Sequence, residues 1–179
     1  TNTTANYNTA VGAHALDLNA TGSNNTAVGY QALRDNTATN NTAFGYQALR
    51  LTTTGSSNTG LGLQTLNSNT TGDGNTAIGH QPLDGNTTGS NNIAIGVDAL
   101  GSNTTGNRNT AIGYASADSQ TTSSNNTSLG AYSLTTNTSG GAIVALGDSA
   151  LYYSTSAADN TAVGYAACYR TTTGGQQTA

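Results

Sequence analysis

The sequence repeats itself about every 17 residues, from Gly12 to Gly29 for example, and this period constrains the fold more than any other feature. The motif Asn-Thr-Ala-Val-Gly occurs at 8–12, 25–29 and 160–164, and variants of it fill the positions between. Each copy closes on a glycine: Gly12, Gly29, Gly45, Gly62, Gly79, Gly96, Gly113, Gly130, Gly147 and Gly164. A unit this short cannot bury a core alone, so the period predicts a solenoid in which each coil stacks on its neighbours.

The residue types within each repeat favour strands over helices. Each unit carries a Val-Gly step and an Asn-Thr-Thr-Gly turn or a variant of them, which interrupt any helical run. We expect a strand around Thr-Ala-Val, a bend at the glycine, a second short strand around Gln-Ala-Leu, and a return through Asn-Thr-Thr-Gly. The sequence therefore predicts an all-β, single-chain parallel β-solenoid of about ten 17-residue turns, with little or no helix, forming one array over residues 1–179.

Two columns of apolar residues run through the repeats and are the predicted core. The first column follows the alanine of the motif: Val11, Val28, Phe44, Leu61, Ile78, Ile95, Ile112, Leu129, Leu146 and Val163. The second column is almost entirely leucine: Leu16, Leu33, Leu49, Leu66, Leu83, Leu100, Leu134 and Leu151, with Ala117 and Cys168 in the same register. We expect both columns to point inward, with Cys168 acting as a small buried hydrophobic residue.

The asparagine that opens the motif forms a third column. It recurs at Asn8, Asn25, Asn41, Asn58, Asn75, Asn92, Asn109, Asn126 and Asn160. Stacked asparagine side chains hydrogen-bond to one another along cross-β assemblies. This column is therefore predicted to be a structural ladder along the rod.

The low charge of the chain excludes several classes of partner. Charged residues make up 7% of the sequence, against about 25% in an average globular domain, and the net charge is −4. The four arginines are spread along the chain without forming a basic patch, which argues against nucleic acid and anionic lipid. Since no apolar run approaches the ~20 residues of a membrane span, we expect no membrane insertion within this chain.

No group of residues in the repeats predicts catalysis. His14 and His80 occupy different columns, and no acid–base or nucleophile constellation recurs. Asp73-Gly74 and Asp84-Gly85 leave calcium open as an alternative, although Asp-Gly is also an ordinary turn pair. We therefore expect no enzyme activity, no cofactor and no metal site.

Three surface features suggest binding or modification. The sequons at Asn69, Asn86 and Asn103 fall in one column, so glycans would coat one face, unless these residues only make the turn. A partial aromatic column at Tyr30, Tyr46, Tyr114 and Tyr165 offers a strip for lateral packing or for stacking on sugars. Paired threonines form a turn ladder that is similar to the ice-binding faces of antifreeze solenoids: 70–71, 87–88, 104–105, 121–122 and 172–173.

The motif resembles the head repeats of trimeric autotransporter adhesins of the YadA type, whose core is Ser-Val-Ala-Ile-Gly. Copies 92–96 and 143–147 come closest, and related repeats occur in phage tail-fibre-like surface proteins. The resemblance implies a left-handed parallel β-roll that associates as a homotrimer. It also implies that Ile93 with Ile95, and Val144 with Leu146, point inward, while Ala94 and Ala145 point outward.

Both ends of the given sequence align within a repeat, so we expect a piece of a longer array or a head-to-tail filament. The function predicted from the sequence is a structural or adhesive rod of an extracellular fibre, filament or adhesin on a cell or virion surface. The alternative is a binding module whose flat repetitive face recognises glycan or ice.

Overall fold

A computed structural model describes residues 4–172 and 175–179. It contains ten strands, nearly all of them three residues long, and each begins directly after the motif asparagine or its equivalent. The strands are β1 (Thr9–Val11), β2 (Thr26–Val28), β3 (Thr42–Phe44), β4 (Thr59–Leu63), β5 (Thr76–His80), β6 (Ile93–Ile95), β7 (Thr110–Ile112), β8 (Thr127–Leu129), β9 (Val144–Leu146) and β10 (Thr161–Val163). No helix occurs among the described residues.

The ten strands form a single parallel sheet in which the order along the sheet is the order along the chain. The register is that of the repeat, so Thr9 lies beside Thr26 and Val11 beside Val28. The 16-residue step is absorbed before β3 without a register shift, because Val28 still pairs with Phe44. The predicted parallel β-solenoid is confirmed, with about nine turns between the ten strands.

The strands face the opposite way from the prediction. In β6, Ala94 is fully buried while Ile93 is 39% exposed, and in β9 Ala145 is the fully buried residue. The orientation implied by the adhesin resemblance, with Ile93, Ile95, Val144 and Leu146 inward and the alanines outward, is therefore wrong for this chain. The residues that line the interior from the sheet are Ala27, Ala43, Gly60, Ala77, Ala94, Ala111, Ser128, Ala145 and Ala162.

The first predicted core column consequently lies on the outside of the sheet. Its most exposed members are Val11, Phe44, Leu61, Leu129 and Val163, at 45–58%. The others, Val28, Ile78, Ile95, Ile112 and Leu146, are half-buried among their outward-facing neighbours. The prediction that this column is core is wrong because apolar character alone does not tell which face of a strand is inside.

The leucine column explains why the sheet has only small residues on its inner face. A Cβ built on Gly60 would lie 2.6 Å from Oγ1 of Thr65 and 3.4 Å from Cγ of Leu49, so Thr65 and the leucine of the preceding coil fill the space beneath the sheet. Leu33, Leu49, Leu66, Leu83, Leu100, Leu134 and Leu151 are fully buried, and Leu16 nearly so. The second core column is thus confirmed, and Cys168 packs half-buried against the same cluster.

The segment that carries the leucines is a turn, not the second strand that we expected. Ala32 and Leu33 are both fully buried, although neighbouring residues of a strand point to opposite faces. Positive φ at alternate positions makes this possible: 131° at Gly29, 55° at Gln31 and 50° at Leu33. A left-handed conformation costs a bulky residue about 1–2 kcal/mol, which burial of the leucine, worth about 1.5–3 kcal/mol, offsets.

The residue before the motif asparagine also has a positive φ in every coil, and this gives a prediction for Ala142. Its φ is 56° and its side chain is exposed, whereas the same column holds asparagine at Asn24 and Asn91. Since asparagine and glycine tolerate this conformation better than alanine, Ala142→Gly should raise the free energy of unfolding by about 0.5–1 kcal/mol. Ala158→Gly, at a residue without positive φ, should lower it, and urea unfolding of both variants checks the difference.

Candidate functional site

The motif asparagines form a continuous ladder inside the coil. The Oδ1 atom of each accepts a hydrogen bond from the backbone N–H of the equivalent residue one coil further on. Oδ1 of Asn58 accepts from the N–H of Asn75, and Oδ1 of Asn75 accepts from the N–H of Asn92, both at 2.9 Å. The Nδ2 atom donates to a carbonyl oxygen of the turn, as from Asn75 to Gly89 at 2.9 Å. Because both ends of each amide are used by the chain itself, this column holds coils in register and is not available to a ligand.

The turn asparagines form a second interior ladder, which sequence reasoning missed. The Nδ2 of Asn86 donates to Oδ1 of Asn69 at 2.8 Å, and Asn103 donates to Asn86 in the same way. All three side chains are fully buried, and each also donates to the glycine carbonyl three residues on. Glycosylation predicted at Asn69, Asn86 and Asn103 is therefore incompatible with the folded coil, since their amides are enclosed.

The threonine ladder of the turn is also used internally. The hydroxyl of Thr70 donates to the carbonyl oxygen of Thr87, and that of Thr87 donates to Thr104, both at 3.0 Å. The same bond recurs from Thr37 to Thr155 along the rod. In the pairs 70–71, 87–88 and 104–105 the second threonine is exposed and the first is half-buried, whereas Thr121 and Thr172 are exposed as well; Thr173 lies outside the described residues.

The outer face of the sheet carries two regular columns without any charged residue. The first strand position is Thr in eight coils and Ile93 or Val144 in the other two. The third position is the aliphatic column that runs from Val11 to Val163. Side chains one coil apart are spaced by the strand separation, about 4.8 Å, so the face presents a regular threonine column beside a regular apolar column.

The tyrosine column lies beside the aliphatic column and extends this face. Tyr30, Tyr46, Tyr114 and Tyr165 are 42–83% exposed, so the strip predicted from the sequence does face outward. Tyr30 and Tyr46 stack with ring centroids 5.3 Å apart, and Leu63 and Val97 continue the column. We call the aliphatic and tyrosine columns together the outer strip; the aliphatic column runs along the whole rod, whereas His80 and Asp148 interrupt the tyrosine column.

Two carboxylates on a neighbouring face are perturbed by their surroundings. Burial raises the pKa of Asp84, although a hydrogen bond from Asn67 and the charge of Arg50 act against this. Burial also raises the pKa of Asp118, assisted by the charge of Asp98. Across residues 4–172 and 175–179, however, no three side chains of the metal-binding types group together as a metal site.

Because the pKa of Asp84 is raised, replacing this residue should increase the stability of the fold, by an amount that depends on pH. Since the folded pKa lies above the unfolded one, the ionised carboxylate lowers stability at neutral pH, and this penalty disappears as the pH falls below about 4. Asp84→Asn should therefore raise the urea midpoint at pH 7 and leave it unchanged at pH 3. Asp159→Asn, at an exposed position, controls for the change in net charge.

Within the described part of the chain, no helix is long and apolar enough to cross a membrane. Comparison with protein-family models, with curated proteins and with solved structures found no match to this chain.

Proposed function

We propose that this chain is a structural rod of an extracellular fibre or adhesin that associates side by side with further copies of itself. The single observation that carries the proposal is the outer strip, which exposes large apolar side chains in register along the rod. Contiguous exposed apolar surfaces of this extent are typical of protein–protein contacts. The rod therefore acts mechanically, and catalysis has no part in its proposed role.

The strip suits a second copy because it is repetitive and its residues lie in register from coil to coil. Each coil contributes one aliphatic residue and, in several coils, one aromatic residue, so two or three rods in register would bury equivalent side chains at every coil. Tyrosine and aliphatic residues are enriched at such contacts, and charged residues are depleted. Lateral association as a homotrimer, on a cell or virion surface, is the arrangement we propose.

Sedimentation of the purified chain tests this proposal. The wild type should sediment as a trimer of the 17.8 kDa chain. A triple variant, Phe44→Thr with Leu61→Thr and Ile78→Thr, should shift to the monomer while keeping its circular dichroism spectrum. Threonine suits a strand, so this variant removes apolar contact without removing the fold.

The matched control is Leu18→Thr with Leu51→Thr, which removes aliphatic side chains from a different face. It should leave the oligomer intact. A wild-type chain that stays monomeric at about 100 μM, a concentration at which a contact with micromolar Kd is largely formed, would refute lateral association.

A second function, ice binding, is favoured by a different observation on the same face. The strand threonines point outward at a constant spacing, as at Thr26, Thr42 and Thr59, and no described residue hydrogen-bonds to the hydroxyls of these three. The two strand columns present one row of threonine hydroxyl and methyl groups beside one row of apolar side chains, without any charge. Thermal hysteresis and ice-crystal shaping in the wild type, abolished by Thr42→Tyr with Thr59→Tyr, would support it; their absence from the wild type excludes it.

A further inference from the structure

A tyrosine cluster lies across the coils of β8, β9 and β10 and adjoins the outer strip, where Tyr132 meets Tyr114 with ring centroids 5.1 Å apart. Tyr152 and Tyr169 stack with centroids 5.4 Å apart, and Tyr153 meets Tyr169 edge to face at 5.3 Å. Tyr132 joins the cluster through Tyr152 at 6.2 Å. Tyr132, Tyr153 and Tyr169 remain 37–42% exposed, so rings that pack against one another still present surface to solvent.

The guanidinium group of Arg170 packs against this cluster and lines an open pocket beside it. The guanidinium carbon of Arg170 lies 5.8 Å from the centre of the Tyr153 ring. Tyr153, Arg170 and Thr172 line a pocket of about 360 Å³, a volume within the range of small-ligand sites. The pocket wall thus combines an aromatic ring, a positive charge and a hydroxyl group, and none of the described residues that line it is a carboxylate.

Arg170 differs from the arginines that are engaged in polar contacts with neighbours. Arg34 forms a bidentate ion pair with Asp35, and Arg50 donates a hydrogen bond to the side chain of Asn67. The contact of Arg170 is with a ring, which occupies the face of a guanidinium and leaves its N–H edge able to bind a carboxylate. An anionic group is therefore the complement of this pocket.

We propose that the pocket binds an acidic saccharide, a sugar unit that carries a carboxylate. The apolar face of the sugar ring would stack on the exposed tyrosines, its carboxylate would pair with Arg170, and Thr172 would hydrogen-bond a sugar hydroxyl. The pocket lies in columns other than the outer strip, so this activity does not rest on lateral association. It would give the rod a ligand as well as a structural role.

The probe is a hexamer of galacturonic acid, and its fully methyl-esterified form is the matched neutral ligand. Binding to the full 179-residue chain is measured by calorimetry at low and high salt. The wild type should bind the acid hexamer, more weakly at high salt, and the ester at least about tenfold more weakly, since a charge-assisted bond is lost.

Arg170→Gln and Tyr153→Leu should each weaken binding of the acid hexamer by about tenfold or more. Arg108→Gln, at an arginine of another column, and Tyr46→Leu, in the outer strip, should leave it unchanged. Loss of binding only in variants with altered circular dichroism would count against the site. No saturable binding to the wild type, equal affinity for acid and ester, or unchanged affinity in Arg170→Gln would overturn the proposal.

Discussion

Replacing Gly62 with alanine should be among the most destabilising single substitutions in the rod. Gly62 has a φ of 133°, and a Cβ built on it overlaps the carbonyl oxygen of Gly79 in the next coil. An L-residue in this conformation costs about 1–3 kcal/mol, and relieving the overlap also separates two coils. We expect a total loss of about 4 kcal/mol or more, measured by urea unfolding and circular dichroism.

Gly164→Ala is the matched control for this prediction. Gly164 has nearly the same φ, 129°, but no atom of the described residues lies within 4 Å of the position that a Cβ would take there. It should therefore show only the conformational cost of about 1–3 kcal/mol. Equal losses in the two variants would mean that coils are not stacked through their closing glycines.

Removing one amide of the interior ladder should be the second largest effect. Asn75 is fully buried, its Oδ1 accepts the N–H of Asn92 and its Nδ2 donates to the Gly89 carbonyl. Asn75→Ala leaves the buried N–H of Asn92 unpaired, at about 1–3 kcal/mol, while the Gly89 carbonyl keeps its hydrogen bond from Asn86. With about 1 kcal/mol for the other hydrogen bonds of the amide, we expect a loss of about 2–4 kcal/mol. Asn67→Ala, which removes one half-buried acceptor from Arg50, should cost about 1 kcal/mol.

The isosteric variant Asn75→Asp makes the same ladder sensitive to pH. A carboxylate there would face the Gly89 carbonyl inside the coil, so burial should raise its folded pKa above the unfolded value near 4. The protonated acid can still donate one hydrogen bond. The loss of stability relative to wild type should thus be small below about pH 4 and grow as the pH rises towards 7. A loss that does not change with pH would contradict the ladder.

The repeat period was sufficient to predict stacking, register and the composition of two columns. A constant repeat length places equivalent residues of successive coils side by side. The repeat spacing alone therefore predicts that Thr9 pairs with Thr26 and that Asn25 and Asn41 belong to one ladder. The leucine column was predictable for the same reason. Leucine recurs at this position in eight of ten coils, with Ala117 and Cys168 in the other two, and no other column carries the same large apolar residue so often.

Apolar character could not predict which face of each strand is buried, because both faces of Thr-Ala-Val are compatible with burial. The signal that would have found it is size. The alanine position admits only Ala, Gly60 and Ser128, whereas the next position varies from Val28 to Phe44. A narrow interior already filled by leucine tolerates no such variation, so the variable column belongs outside.

The prediction of a second strand in the turn segment and the prediction of glycosylation at the turn asparagines were wrong for a related reason. Buried Ala32 next to buried Leu33 requires positive φ at non-glycine residues, which no local propensity favours and only stacking with neighbouring coils sustains. The turn asparagines have the sequence of an exposed sequon, yet their amides close the turn from inside. In both cases contacts between coils decide the structure.

Thiol labelling of two neighbouring positions tests the orientation of the sheet most directly. In a chain whose native thiol is removed by Cys168→Ser, Ala43→Cys and Thr42→Cys are labelled under native conditions and compared with the unfolded chain. Ala43 is fully buried and Thr42 exposed, so Ala43→Cys should be protected by orders of magnitude while Thr42→Cys reacts readily. Rapid labelling of Ala43→Cys together with protection of Thr42→Cys would show that the strands face the other way.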